Sequence, residues 1–135
     1  MIDRDCIFCK IAGGDIPSST VYEDEQFRVL LDLSPATKGH ALILPKQHYA
    51  NIFEIDENIL RDLIVLAKKV ASAMKETLNC DGVNIVQNNG EAAGQTVFHF
   101  HLHMIPRYKD DNVGLGWKMG ELTDEDKEDI LSKIK

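Results

Sequence analysis

Between Val97 and Ile105 apolar residues alternate with histidines, as His99-Phe100-His101-Leu102-His103-Met104. A period of two is that of a β-strand, so this run predicts a strand that closes at Pro106. His99, His101 and His103 then share one face, and Phe100, Leu102 and Met104 turn to the core. Shorter apolar runs predict strands over Thr20–Tyr22, Phe27–Asp32, His40–Pro45 and Gly82–Gln87, separated by turn residues such as Ser34-Pro35 and Lys38-Gly39. Ile59, Leu60, Leu63, Ile64, Ala67, Val70, Ala71 and Met74 instead recur at helical spacing. They predict one long helix from Asp56 to Leu78, with Asp56 as its N-cap.

A short helix over Lys10–Ala12, stopped by Gly13-Gly14, and an acidic helix over Asp124–Lys133 complete the pattern. Successive strands joined by turns, with one helix crossing over, indicate an α+β domain on an antiparallel sheet of about five strands. One domain spanning 1–135 is expected, with no internal repeat and a polar tail after Arg107.

Composition narrows the function. At 135 residues and 44% hydrophobic content the chain can bury an ordinary core without a staple. A net charge of -7, with no Lys/Arg run, disfavours nucleic acid and anionic membrane surfaces as partners. The start, Met1-Ile2-Asp3-Arg4-Asp5, carries acids where a leader needs bases, and no apolar run reaches the roughly 18 residues of a spanning helix. The expected compartment is the cytoplasm. There Cys6 and Cys9 read as metal ligands or a redox pair rather than a disulfide, and Cys80 is an odd thiol.

Three of the five histidines on one strand face is the chemically loaded feature. Same-face neighbours on a strand lie roughly 6.6 Å apart, so all three rings could address one bound group such as a phosphate. Imidazoles of ordinary pKa about 6.5 cannot all be charged at that spacing, which points to a metal, an anion or a division of catalytic labour. The loop from Asn88 to Thr96, with Gly90 and Gly94, is expected to offer free backbone N–H groups and a hydroxyl to an anion beside them.

Gly94-Gln95-Thr96-Val97-Phe98-His99-Phe100-His101-Leu102-His103-Met104-Ile105 resembles the signature of the histidine triad superfamily, in its nucleotide-binding, phosphoramidase-like branch. Cys6-Ile7-Phe8-Cys9-Lys10-Ile11, Tyr22-Glu23-Asp24, Asp32-Leu33-Ser34-Pro35 and Lys38-Gly39-His40 through Pro45-Lys46-Gln47-His48 extend the likeness from Cys6 to Arg107. The resemblance implies a hydrolase acting at the α-phosphorus of nucleoside phosphoramidates or related nucleotidyl conjugates, releasing the monophosphate. His101 would be the nucleophile, forming a nucleotidyl-histidine that water resolves. His103 would stabilise charge on the phosphate and leaving group, and His40 would fix a tautomer within the cluster.

By the same resemblance Asn88, Gly94, Gln95 and Thr96 line the phosphate site and Asp32 accepts from the ribose hydroxyls. Ile16, Leu30, Leu33 and Leu42 form an apolar slot for a purine base. Related transferases carry Gln where this chain has His103, which favours water as the acceptor. A dinucleoside polyphosphate hydrolase, or a nucleotide-binding regulatory or scaffold protein with little turnover, is the alternative.

Cys6, Cys9, His48 and His99 supply four N/S ligands, a set that suits tetrahedral Zn2+, and the resemblance supports it. Such a closed site would be structural and would commit His99 to the metal. A homodimer is expected from the family's habit, and Trp117 is a candidate to close over the nucleotide.

Overall fold

A computed structural model describes residues 2–134; Met1 and Lys135, the ends of the expected domain span, lie outside the described residues. Five strands, β1 (Thr20–Glu23), β2 (Phe27–Leu31), β3 (Ala41–Pro45), β4 (Gly82–Val86) and β5 (Leu102–Arg107), form one antiparallel sheet in the order β1-β2-β3-β5-β4. Helices α1 (Ile7–Ala12), α2 (Glu57–Leu78) and α3 (Asp124–Ile134) accompany it. The α+β class read from the pattern is the observed one.

Helix α2 starts where its cap predicts. Asp56 Oδ1 accepts from the amides of Asn58 (2.8 Å) and Ile59 (3.2 Å), two of the four donors an N-terminus leaves unpaired. Its apolar stripe, Leu63, Leu66, Ala67 and Met74, buries against one sheet face with Phe27, Val29, Ala41, Ile43, Phe100, Leu102 and Met104. Strand alternation sends Leu30, Leu42 and Leu44 to the opposite face, where they pack with Ala12, Phe8 and Ile11. His103 is the cross-strand partner of Leu42, so its ring belongs to this second face, the one that carries the cavity described below.

The remaining ends of β1 to β4 and α3 shift by no more than a residue from the pattern, and three departures have a structural cause. Helix α1 begins at Ile7, because Cys6 Sγ caps it by accepting from the Cys9 amide (3.3 Å). The histidine run is a strand only from Leu102 onward; residues 97–99 bend, and the Phe100 amide donates to Tyr49 O (2.6 Å) instead of a ladder. Pairing with β3 starts at Ile43↔Leu102, so nothing extends the strand toward Val97.

Pro106 does not end the strand either. Beyond Met104 no register pair joins β5 to β3, and the paired partner is β4, so the proline's missing N–H costs no ladder bond on the free side. The Thr37 hydroxyl donates to Pro106 O (2.6 Å). At the end of β5, Arg107 holds Asp111 (Nε–Oδ2 2.8 Å) and Val113 O (2.7 Å), whereas every described residue from 114 onward is exposed. No helix among the described residues is long and apolar enough to cross a membrane.

Candidate functional site

A cavity of about 890 Å3 opens on the sheet face opposite α2. Phe8, Ile11, Ile16, Leu30 and Leu42 give it an apolar wall, while Asp32, Asn88, Thr96, His101 and His103 supply polar groups. Gly94 and Leu33 also line it, Leu33 at 90% exposure forming its rim. Residues that sequence reasoning did not assign to it include Ile7, Phe8, Ile11, Pro17, Ser18, Ser19, Leu31 and Val97. The spacing of Ile7, Phe8 and Ile11, one helical face, was the available signal.

Two predicted site residues are placed elsewhere. Gln95 is buried and turned inward: its Oε1 accepts from the Gly90 amide (2.8 Å), and its Nε2 donates to Ala50 O (2.6 Å) and Val97 O (3.1 Å). It shapes the loop and does not line the cavity. His40 lies behind His103. Part of the expected set of free loop amides is already spent, because Ala93 and Gln95 donate to Gly90 O, Gly94 to Glu91 O and Gly90 to Gln95 Oε1. Thr96 and Asn88 bring the loop's side-chain polar groups to the cavity beyond the 3-10 turn at Glu91–Ala93.

Hydrogen bonds fix the tautomer of each ring. His101 Nδ1 lies 2.7 Å from His99 O, and a carbonyl can only accept, so Nδ1 carries the hydrogen and Nε2 the lone pair. The Ala36 amide donates to His40 Nδ1 (2.9 Å), which puts the hydrogen of neutral His40 on Nε2. That Nε2–H donates to His103 Nδ1 (3.0 Å), so His103 carries its own hydrogen on Nε2. His101 is an acceptor and His103 a donor at their free nitrogens, with ring centroids 5.0 Å apart.

Burial keeps these rings neutral. It is the first cause of the lowered pKa of His101 and His40, and with the neighbouring His101 and His40 it pushes His103 down to about 4, against the pull of Asp32. Asp32 itself accepts from the Ser34 amide (2.8 Å) and keeps Oδ2 3.6 Å from His40 Nε2. Asp32, His40 and His103 lie within metal-ligand reach of one another. They do not fit a cation, because the Ala36 amide denies His40 Nε2 a lone pair.

The cysteine knuckle is the opposite case. Ligand atoms of Cys6, Cys9, His48 and His99 all lie within 4.8 Å of one another. His99 Nε2–H donates to Pro45 O (2.8 Å), freeing the Nδ1 lone pair, which faces Cys6 Sγ and Cys9 Sγ at 3.4 Å each. His48 Nδ1 stands 3.3 Å from Cys9 Sγ. A backbone carbonyl orienting a histidine from its far nitrogen is the usual support of a metal ligand. Burial raises the Cys9 pKa, so that a cation would be needed to hold its thiolate. The residues therefore fit a zinc ion. His99 accordingly does not turn to the cavity, and only two of the three triad rings do.

Comparison with known proteins gives the class. A family model described as the HIT domain matches residues 13–110. A crystal structure of a HIT family member from Bacillus subtilis superposes with a TM-score of 0.89 at 43% identity, covering 97% of this chain and 95% of that one. A Zn-bound histidine triad family protein from Mycobacterium smegmatis gives 0.78 at 38%, covering 86% and 84%. An adenosine 5'-monophosphoramidase of Saccharomyces cerevisiae is 41% identical over 140 residues, 98% of this chain and 85% of the relative. The chain belongs to the HIT domain family.

Proposed function

We infer that the protein is a nucleotidyl hydrolase that cleaves purine nucleoside phosphoramidates at the α-phosphorus and releases the monophosphate. The observation that carries this reading is the pair of opposed tautomers, lone pair on His101 and N–H on His103, side by side in one cavity. The similarity to a yeast phosphoramidase supports the substrate class.

A neutral imidazole is a competent nucleophile, and the His99 carbonyl strengthens it. As His101 Nε2 bonds to phosphorus its ring gains positive charge, which the Nδ1–H to His99 O contact disperses. His103 directs an N–H, not a lone pair, at the phosphate or the atom that gains charge as the P–N bond breaks. Water then attacks the phosphorus of the nucleotidyl-histidine, the bond from phosphorus to Nε2 breaks to restore His101, and the proton that water loses balances the one the departing amine takes up from solvent. Asp32 would take the ribose hydroxyls, Asn88 and Thr96 the phosphate with Gly94 beside it, and Ile16, Leu30, Leu33 and Leu42 the base, joined by Phe8 and Ile11. Gln95 and His40 serve as positioning residues.

Cys6, Cys9, His48 and His99 would hold zinc, which when bound cross-links α1 to the segments before β5 and after β3. A site with four protein ligands has no open position for water, so the ion would be structural. The chain is further read as half of a twofold dimer. Exposed Ile64 and Val65 on α2 and Ile85 on edge strand β4 leave apolar surface of the kind a second copy covers.

Mixing the protein with an adenosine phosphoramidate and quenching in milliseconds tests the proposal. AMP release by wild type, with a protein-bound adenylyl group that is absent in His101→Ala, is the expected result. Equal release by His101→Ala would defeat the nucleophile. Tight AMP binding without release by wild type would favour the binding-protein alternative.

A further inference from the structure

Helix α1 and its cap Cys6 carry two sets of contacts at once. At its start, Cys6 and Cys9 face His99 Nδ1 at 3.4 Å. Between those cysteines, Phe8 meets the His101 ring edge-on, with centroids 5.0 Å apart at 82°, and also stands edge-on to His99 at 6.2 Å. Phe8 and Ile11 also line the cavity and pack on Leu30 and Leu42. His99 joins the two sites a second time, since its ring faces the thiols and its carbonyl accepts from His101 Nδ1 at 2.7 Å.

A helix this short is not stable alone, so its order comes from what holds it. On one side that is the cysteine knuckle, and on the other the sheet and whatever fills the cavity. We propose that Phe8 is a positioning residue for His101, and that through it a metal at the knuckle and a nucleotide in the cavity strengthen each other's binding. The inference rests on the zinc and nucleotide readings above. Its physical basis is a shared ordering cost: a ligand that fixes α1 leaves less for the second to fix, which is positive linkage without any large movement.

The edge-on ring adds a directional element. Phe8 closes one side of His101, so a displaced α1 would open that side and loosen the imidazole's aim at the phosphate. The Nδ1 contact to His99 O and the edge of the His103 ring, 5.0 Å away, hold its other sides.

The test is the zinc affinity of the full chain, measured by competition with a chromophoric chelator, with and without saturating AMP. AMP is expected to tighten zinc by at least about fivefold, the lower end of ordinary coupling between sites. Titration calorimetry of AMP into metal-loaded and metal-free protein must return the same factor, because linkage is reciprocal. In Phe8→Leu, which keeps an apolar side chain and so preserves folding, zinc still binds at one per chain and the factor falls below about twofold.

An unchanged zinc affinity in wild type, or a full factor retained in Phe8→Leu, overturns the proposal and leaves the nucleotide reading standing. AMP that binds neither form overturns both. A chain that takes up no zinc also overturns it.

Discussion

His40 Nε2 lies 3.0 Å from His103 Nδ1, and the Ala36 amide, 2.9 Å from the other nitrogen of His40, decides which of the two carries the hydrogen. Three groups in line thereby deliver an N–H to the cavity from a ring that stays neutral. Loss of His40 should leave the His103 tautomers free to exchange. His40→Ala is expected to lower kcat by about 10- to 100-fold with little change in KM, the signature of an interaction that acts on the transition state. The nitrogen chemical shifts of His103 should move toward a tautomer mixture. An unchanged His103 spectrum would show that the relay does not set its state.

Acid should destabilise the fold through the same ring. His103 is held at about 4 in the folded chain, below its ordinary 6.5, so the unfolded chain binds the proton more readily. The stabilising contribution is complete above about 6.5 and is lost as pH falls through about 4. Melting temperature should decline across that window, and His103→Gln should decline less steeply. Parallel curves for the two proteins would contradict the assignment.

Removing metal should affect the fold before the chemistry. If zinc crosses from α1 to His48 and His99, a chelator in excess is expected to lower the melting temperature by about 10–20 °C. Loss of turnover with an unchanged melting curve would mean that the ion belongs to the reaction and not to the scaffold.

Gly39 should tolerate no side chain. Its φ is +96°, and a Cβ there would lie 2.7 Å from a Leu78 methyl and 3.2 Å from the Pro106 ring. This residue leads directly into His40, and Thr37 clamps the same turn to Pro106 O. Gly39→Ala is expected to cost about 2–4 kcal/mol from backbone strain and overlap combined. Urea denaturation measures it, and a loss below about 0.5 kcal/mol would show that the turn can relax.

Period carried most of the architecture in the sequence. Most of the α2 stripe and its Asp56 cap follow from spacing, although Ile64 lies exposed and Leu66, outside the expected stripe, is buried; the two faces of β3 show only in the fold, because all five of its residues are buried. The histidine run misleads by the same logic. Alternation persists through His99 and Phe100 although no ladder exists there; Phe100 is buried under α2 and His99 is turned to the cysteines. What ends the strand is the reach of β3, a neighbour distant in sequence.

The site was legible by residue type more than by role. Cys6, Cys9, His48 and His99 do converge, and His101 and His103 share the cavity with Asp32. Gln95 could not be read correctly, since an amide that braces a loop and one that binds phosphate look alike until their partners are known. Phe8 shares a helical face with Ile7 and Ile11, but only the fold brings that face against His101.

The grip of Arg107 on Val113 O is the last hydrogen bond, among the described residues, that ties the chain to the sheet. Everything beyond it in the described residues hangs outside, Trp117 included at 85% exposure. Cutting the chain just past that anchor should leave the sheet folded, and the AMP affinity of the shortened chain then reports whether Trp117 reaches a nucleotide.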